Sequence, residues 1–404
     1  MAVGLENLDD VYAVAGVRLA ATAAGIKPDN ASDLALMELA PATTTVGVFT
    51  RNAFCAAPVT VSKRHLSCEK PTLFLINSGN ANAGLGAAGI SDALASCQQL
   101  AAETGMKTEQ VLPFSTGVIG EELPVDKISH CLPSLLQDLN EDNWLAAARA
   151  IMTTDTRPKV CSRKITLRGK DVTISGMAKG SGMIRPDMAT LLVFLATDAS
   201  IESDLLQEIL NRSVGRSFNR VTIDSDTSTN DCCMLSATHL SEVTIEKGNE
   251  SLHRFTAAMD DVCVQLAKGI VKDAEGASKF IEVIVENGKD TNECLTIAYS
   301  VAESPLVKTA MFASDANWGR ILMAVGKAGV EDLDVTTVSV FLDDVCIVRC
   351  GERDGQYREE MGAAVMAKEE ICVRIDLARG EATETVWTSD LSHEYVRINA
   401  EYRT

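Results

Sequence analysis

The strongest constraint on the fold lies between residues 177 and 199, where a flexible loop runs directly into an apolar segment. The loop contains Gly180 and Gly182, and Pro186 prevents a helix from continuing through it. The apolar segment 190–196 reads Thr-Leu-Leu-Val-Phe-Leu-Ala. Its length and nearly continuous hydrophobicity predict a strand that is buried on both faces.

Thr190 stands at the junction between the loop and this strand, and the small Ala189 precedes it. A threonine hydroxyl can attack the preceding carbonyl carbon, and hydrolysis of the resulting ester would make Thr190 a new N-terminus. Its α-amine, with an ordinary pKa of about 7.7–8.0, would then be a general base beside its own hydroxyl. On spacing alone, the simpler interpretation of a β-branched residue that opens a strand is better supported.

Helical and strand patterns alternate along the rest of the chain, which predicts a layered α/β protein. A strand–turn–strand pattern over 160–177 precedes the glycine-containing loop, so we expect the buried strand to lie beside a hairpin. A composition shift near Gly288 indicates a structural boundary, followed by a smaller C-terminal α/β domain over 289–404.

Composition and charge argue against several classes of function. A net charge of −19 and a pI near 4.7 disfavour phosphate backbones and anionic lipids, so we expect neither nucleic acid nor a membrane as partner. The absence of C-x-x-C, H-x-x-x-H and H-E-x-x-H patterns predicts no metal site. The 12 scattered cysteines are typical of a reduced, cytoplasmic protein, and no apolar run reaches the roughly 18 residues of a membrane helix.

Three loops are further candidates for a functional site. Thr116 and Gly117 follow the strand pattern 111–115, where a hydroxyl and an exposed backbone N–H could bind an oxyanion; the alternative is a simple turn. The loop 77–86 follows an apolar strand but matches no phosphate-binding motif, which favours an active-site or packing turn. The segment 224–231 is rich in oxygen side chains but lacks the glycine and final glutamate of an EF-hand, which favours a hydrogen-bonded loop near the site.

Ordered motifs extend these observations along the whole chain. They are NSGNANAG (77–84), STGVIGEELP (115–124), MTTDTRPK (152–159), KGSGMIRPDMATLLVFLATDA (179–199), FNRVTIDSDTSTNDC (218–232), DAEGASK (273–279), ASDANWGRI (313–321) and RINAEYRT (397–404). Together they closely resemble the motifs of the ornithine acetyltransferase family, the glutamate N-acetyltransferases of arginine biosynthesis.

The resemblance implies a fold and a processed state. The fold is a layered α/β sandwich of the ornithine acetyltransferase and DmpA-like type. Cleavage between Ala189 and Thr190 would give an α chain of residues 1–189 and a β chain of residues 190–404, assembled as an α2β2 heterotetramer. The chain departs from the family at Asp187, where asparagine is more common, and at the less usual Arg185; both departures bear on the rate of processing.

The resemblance also implies roles for individual residues. Thr190 would be the nucleophile, and Thr116 and Gly117 would supply the oxyanion hole. The substrate-binding residues would be Thr156, Lys179, Thr190, Glu275, Asn399 and the terminal Thr404.

The implied reaction moves an acetyl group from N2-acetyl-ornithine to glutamate through an acetyl-threonine intermediate, without a metal or organic cofactor. Some family members also acetylate glutamate from acetyl-CoA as co-substrate, and the sequence leaves open whether this chain is bifunctional. The alternatives are a self-cleaved N-terminal-nucleophile amidase or aminopeptidase of related fold, and a non-catalytic amino-acid-binding protein. The polar tail with Asn399 favours the transferase over the amidase.

Overall fold

The structure is a computed structural model that describes residues 3–4, 10–185 and 191–402. Its strands are β1 (Val17–Thr22), β2 (Leu34–Leu39), β3 (Thr44–Phe49), β4 (Leu73–Asn80), β5 (Val111–Val118), β6 (Lys159–Leu167), β7 (Lys170–Lys179), β8 (Leu192–Thr197), β9 (Val221–Thr222), β10 (Cys232–Ala237), β11 (Phe280–Gly288), β12 (Ser339–Leu342), β13 (Val345–Arg349), β14 (Glu352–Arg353), β15 (Glu370–Asp376) and β16 (Ala382–Ser389). Its helices are α1 (Ala57–Cys68), α2 (Ala87–Thr104), α3 (Val125–Gln137), α4 (Trp144–Ala150), α5 (Ser203–Arg216), α6 (Glu250–Lys272), α7 (Thr291–Ala302), α8 (Pro305–Phe312), α9 (Trp318–Gly326), α10 (Glu359–Met366) and α11 (His393–Glu401). This mixture of helices and sheets confirms the predicted α/β class.

The described strands form three sheets. The first sheet has the order β1-β2-β4-β5, the second has the order β3-β10-β8-β7-β6, and the third has the order β14-β13-β12-β15-β11-β16-β9. The parallel pairs β4–β5 and β8–β10 are each connected through a helix, α2 and α5 respectively, as parallel strands require.

The first and second sheets pack face to face, and helices cover their outer faces. The rings of Phe74 and Phe114 from the first sheet meet that of Phe194 from the second, with 5.0 Å between the centroids of Phe114 and Phe194. Helices α2 and α3 share a core with the outer face of the first sheet, and α5 and α6 share one with the outer face of the second. The result is a four-layer α/β/β/α sandwich, in agreement with the predicted layering.

Strand β8 is the buried strand that the apolar segment predicts, and all six of its residues are buried. Val193 and Leu195 pack in the core with α5 and α6, whereas Leu192 and Phe194 pack between the two sheets. Since successive side chains of a strand point to opposite faces, a central strand in such a sandwich must be apolar throughout. It pairs with β7 of the hairpin β6–β7, as expected. Thr190 itself lies outside the described residues.

The third sheet belongs to the C-terminal part of the chain and has its own core with α7, α9 and α10. Its interior strand β11 ends at Gly288, the predicted boundary, so the sheet begins ahead of that position. Strand β9 joins its edge from an earlier part of the sequence. The predicted division at 288 and the predicted chains 1–189 and 190–404 stay predictions. No helix in the described part of the chain combines the length and apolarity needed to cross a membrane.

Candidate active site

A cavity of about 260 Å³ lies at one common edge of the first and second sheets. The carboxyl ends of β5 and β7 and the amino ends of β8 and β10 meet there, and the end of α11 covers them. Its wall consists of Ala81, Thr116, Gly117, Val118, Ile119, Thr153, Thr154, Lys179, Gly182, Met183, Leu191, Leu192, Ser228, Thr229, Asn230, Asp231, Glu275, Asn399 and Tyr402. The predicted site residues Thr116, Gly117, Lys179, Glu275 and Asn399, which come from four distant parts of the sequence, therefore line one small cavity.

Thr116 and Gly117 form one side of this cavity. They lie inside β5, which continues to Val118, and not in a turn that follows the strand. Gly117 has φ +139°, and a Cβ atom there would lie 2.3 Å from the carbonyl carbon of Gly79 on β4. Only glycine fits so close to a neighbouring backbone. The hydroxyl of one residue and the backbone N–H of the next thus adjoin the cavity on a rigid strand.

Asn230 connects this strand to the second sheet. Its buried side-chain amide donates to the carbonyl oxygens of Ala81 (2.6 Å) and Ser115 (2.9 Å). The oxygen-rich segment before β10 is therefore a hydrogen-bonded loop at the site, as predicted. Among the described residues, no group of three His, Cys, Asp or Glu side chains is arranged to hold a metal ion.

Lys179, Glu275 and Asn399 line the same cavity. The amide of Asn399 donates to Oε2 of Glu275 (2.7 Å), and the backbone N–H of Glu275 donates to the carbonyl oxygen of Ser181 (2.8 Å). A Cβ atom on Gly182 would lie 2.5 Å from Cδ of Glu275, so glycine allows the loop to approach this carboxylate. An ammonium and a carboxylate that line the same small cavity suit a ligand that carries both charges, such as an amino acid.

Asp231 is a residue of the cavity that the sequence did not single out. It is 3% exposed, and its Oδ2 atom has no hydrogen-bond partner among the residues that the structure describes. Burial raises the pKa of this carboxyl well above its ordinary value, although Ser228 and Lys179 oppose the shift. Its place in the motif FNRVTIDSDTSTNDC was the one available signal. Tyr402, also on the wall, was missed in the same way.

Thr156 does not lie on the wall of this cavity. Its backbone N–H donates to Oδ2 of Asp273 (3.0 Å), and its hydroxyl donates to the other carboxylate oxygen. Thr153 and Thr154 of the same motif line the cavity. The predicted role of Thr156 in substrate binding stays a prediction.

A buried ion cluster holds the motif MTTDTRPK (152–159) in place. Nζ of Lys159 lies 2.5 Å from Oδ1 of Asp155 and 2.7 Å from Oδ2 of Asp273, and both carboxylates are fully buried. Asp155 also accepts hydrogen bonds from the backbone N–H groups of Thr153 (3.0 Å) and Gly180 (2.9 Å). Burial alone would raise the pKa of Asp155, but the ammonium groups of Lys159 and Lys179 and the hydrogen bonds to the carboxylate together outweigh burial, and the pKa lies well below its ordinary value. The cluster therefore fixes two loops of the cavity.

Lys159→Met should strongly destabilise the protein, because it leaves two buried carboxylates without the ammonium that pairs with both of them. Breaking a buried ion cluster in this way costs about 3–5 kcal/mol of unfolding free energy. Urea denaturation at neutral pH measures the change. Lys170→Met is the matched control, since it removes a lysine of the same hairpin that forms an exposed ion pair with Glu242. Equal stability of the two variants would show that the cluster does not support the fold.

The structure describes the downstream neighbour of the predicted cleavage site. Leu191 lies on the cavity wall, and its carbonyl oxygen accepts a hydrogen bond from the backbone N–H of Cys232 (2.9 Å). Ala189, Thr190 and the terminal Thr404 lie outside the described residues.

Comparisons with known proteins bear on the resemblance. The model of the ArgJ family matches residues 18–404. The chain is 54% identical to the "Arginine biosynthesis bifunctional protein ArgJ" of Methylococcus capsulatus, over 99% of this chain and 98% of that protein. It is 53% identical to the protein of the same name from Pseudomonas syringae pv. tomato, over the full length of both.

One solved structure completes the comparison. It is the ornithine acetyltransferase of Mycobacterium tuberculosis in complex with ornithine, which is 36% identical to this chain, covers 45% of it and 96% of its own length, and has a TM-score of 0.40. The family match and the two relatives over their full length confirm the resemblance that the motifs indicated. The chain belongs to the ArgJ family.

Proposed function

We propose that this chain is a self-processing acyltransferase of arginine biosynthesis, which moves the acetyl group of N2-acetyl-ornithine to glutamate. The observation that carries the proposal is the shared cavity. It joins Thr116 and Gly117, the charged pair Lys179 and Glu275, and Leu191, the residue that follows Thr190. Membership of the ArgJ family, whose relatives are named for arginine biosynthesis, supports the same reaction.

The first step forms an ester on Thr190. Its hydroxyl oxygen attacks the acetyl carbonyl carbon of N2-acetyl-ornithine, and its α-amine accepts the hydroxyl proton. The negative charge that develops on the carbonyl oxygen is stabilised by the backbone N–H of Gly117 and the hydroxyl of Thr116. The C–N bond then breaks, the leaving nitrogen takes up the proton, and ornithine departs from an acetyl-threonine.

The second step repeats this chemistry in reverse with another amine. Glutamate enters the emptied cavity, its amine attacks the acetyl-threonine, and N-acetylglutamate leaves while Thr190 regains its proton. Both substrates carry an α-carboxylate, and Lys179 is a cation on the wall that can pair with it. Glu275 with Asn399 can accept a hydrogen bond from the side-chain ammonium of ornithine. Splitting one amide exchange into two ester steps lowers the barrier of each.

Self-cleavage prepares the nucleophile. The hydroxyl of Thr190 adds to the carbonyl carbon of Ala189, the peptide C–N bond breaks, and the acyl group moves to oxygen. Water then hydrolyses the ester, which leaves a carboxylate on Ala189 and a free α-amine on Thr190. The fixed position of Leu191 at the cavity supports this proposal, because it restrains the chain next to the bond.

The name of the relatives, a bifunctional protein, supports a second activity in which acetyl-CoA supplies the acetyl group for glutamate. The hydroxyl of Thr190 would attack the thioester carbonyl carbon in place of that of N2-acetyl-ornithine, the C–S bond would break, and CoA would leave as the thiol with the hydroxyl proton. The proposed assembly is an α2β2 heterotetramer in the cytoplasm, and the proposed reaction needs no metal or organic cofactor.

Trapping the intermediate tests the proposed function. Incubation with N2-acetyl-ornithine in the absence of glutamate should add one acetyl group to the fragment that begins at Thr190, as seen by mass spectrometry. Varying N2-acetyl-ornithine at several glutamate concentrations should give parallel double-reciprocal lines. Intersecting lines without an adduct would mean direct transfer in a ternary complex. Release of acetate without transfer would identify the amidase alternative.

A further inference from the structure

The segment that leads to the predicted cleavage site is held by a turn that the proposed reaction does not use. The turn 223–227 follows β9 and lies against residues 183–185. The backbone N–H of Ile223 donates to the carbonyl oxygen of Ile184 (2.8 Å), and the side chain of Ile184 is 1% exposed. The segment is thus attached to the core three residues after Ser181.

Asp224 holds two successive backbone N–H groups of this segment. Its Oδ2 accepts from Met183 (2.6 Å), and its Oδ1 accepts from Ile184 (2.9 Å). Hydrogen bonds to a carboxylate are shorter and stronger than those between neutral groups. Met183 has φ +54°, a left-handed conformation that is uncommon outside glycine. The carboxylate therefore maintains a bend that the backbone would not adopt by preference.

Arg185, the last described residue before the cleavage site, is held at both its backbone and its side chain. Its carbonyl oxygen accepts from the hydroxyl of Thr227 (3.0 Å). Its Nε lies 2.8 Å from Oε1 of Glu303, and its guanidinium lies over the ring of Tyr299 at 5.0 Å. These contacts fix the position of Arg185 and the direction in which the chain leaves it.

The downstream side is also restrained, at Leu191, by the hydrogen bond from Cys232 to its carbonyl oxygen. Residues 186–190 must therefore connect two held positions across the proposed scissile bond. An intramolecular attack depends steeply on such restraint, because a misplacement of about 1 Å costs about 10²-fold in rate.

We propose that Asp224, assisted by Thr227, is a positioning residue for self-cleavage. It holds the upstream side of the Ala189–Thr190 bond so that the carbonyl carbon of Ala189 meets the hydroxyl of Thr190. The carboxylate itself acts through Met183 and Ile184 and takes no part in the bond changes. The inference rests on the self-cleavage proposed above.

The rate of processing of the full chain tests it. Cell-free synthesis followed by quenching in denaturant gives the fraction cleaved against time. Asp224→Ala should be cleaved about 10- to 100-fold more slowly than the wild type. Asp226→Ala is the matched control, since it removes an exposed carboxylate of the same turn that accepts no hydrogen bond from the described residues 183–185, and it should be cleaved at the wild-type rate.

Two further variants separate positioning from other effects. Thr227→Val, close in shape to the wild type, removes only the hydrogen bond to Arg185 and should slow cleavage about 3- to 10-fold. Tyr395→Phe removes a side-chain donor to Asp224, a hydroxyl on α11 at 3.2 Å, and should leave the rate unchanged. Acetyl transfer per cleaved molecule should stay within about twofold of the wild type in Asp224→Ala and Thr227→Val, whereas a general loss of structure would lower it together with cleavage.

The outcomes are distinct. Slow cleavage with normal activity per cleaved molecule supports the positioning role. Cleavage of Asp224→Ala and Thr227→Val at the rate of Asp226→Ala overturns it while leaving the proposed function intact. A parallel loss of cleavage and of activity per cleaved molecule also overturns it. A wild-type chain that is never cleaved would defeat self-cleavage itself, and the positioning role with it.

Discussion

Replacing Thr190 with alanine should leave the chain as a single piece of 404 residues and abolish acetyl transfer. Alanine has no hydroxyl to attack the carbonyl carbon of Ala189, and without cleavage no α-amine is released to act as base. Denaturing mass spectrometry should show two fragments for the wild type and one for the variant. Thr190→Ser is the control, because it retains a hydroxyl and should be cleaved. A wild-type chain that is intact and fully active would refute the prediction.

The two fragments should remain associated after cleavage because they share the second sheet. Strands β3, β6 and β7 come from the first piece, and β8 and β10 come from the second. In the order β3-β10-β8-β7-β6, each strand of the second piece is hydrogen-bonded to one of the first. Separation would break the pairs β3–β10 and β7–β8 and would expose the face of β8 that packs against the first sheet. Both fragments should therefore coelute in gel filtration, and light scattering tests the α2β2 assembly.

Thr116→Ala should lower kcat of acetyl transfer by about 10²–10³-fold with little change in KM. The loss is that of one donor to the oxyanion, which forms only in the transition state. Steady-state kinetics on the cleaved enzyme measures it, and Thr116→Ser, which keeps the hydroxyl, should retain most of the activity. An unchanged kcat would assign this part of β5 to packing. Gly117 is a poor target for the same test, because a Cβ atom there collides with the backbone of β4.

The sequence by itself was sufficient to predict the layered α/β class and the buried strand β8. An uninterrupted apolar run of strand length is stable only where both faces are covered, so its environment follows from its composition. The pattern of motifs was likewise sufficient to identify the family, since each motif is a local property of the chain.

Which residues line the cavity depended on tertiary structure. Thr153 and Thr154 lie on its wall while Thr156 of the same motif is bound to Asp273, although the three are equally polar in sequence. Asp273, which binds Thr156, is itself paired with the buried Lys159, so this difference depends on an ion cluster formed by residues distant in sequence. Asp231 is no different in local pattern from other acidic residues in turns.

Pairing between strands that are far apart in sequence could not be predicted from the sequence either. Strand β9 has only two residues, and it is a strand because Val221 and Thr222 meet Trp387 and Thr388 at the edge of the third sheet. Similarly, Gly117 must be glycine because β4 passes close by, a condition imposed by a strand some forty residues earlier in the chain. Local composition sets which segments are buried, but the choice of neighbours arises from the packing of the whole chain, where hydrogen bonds and side-chain contacts between distant segments are formed together.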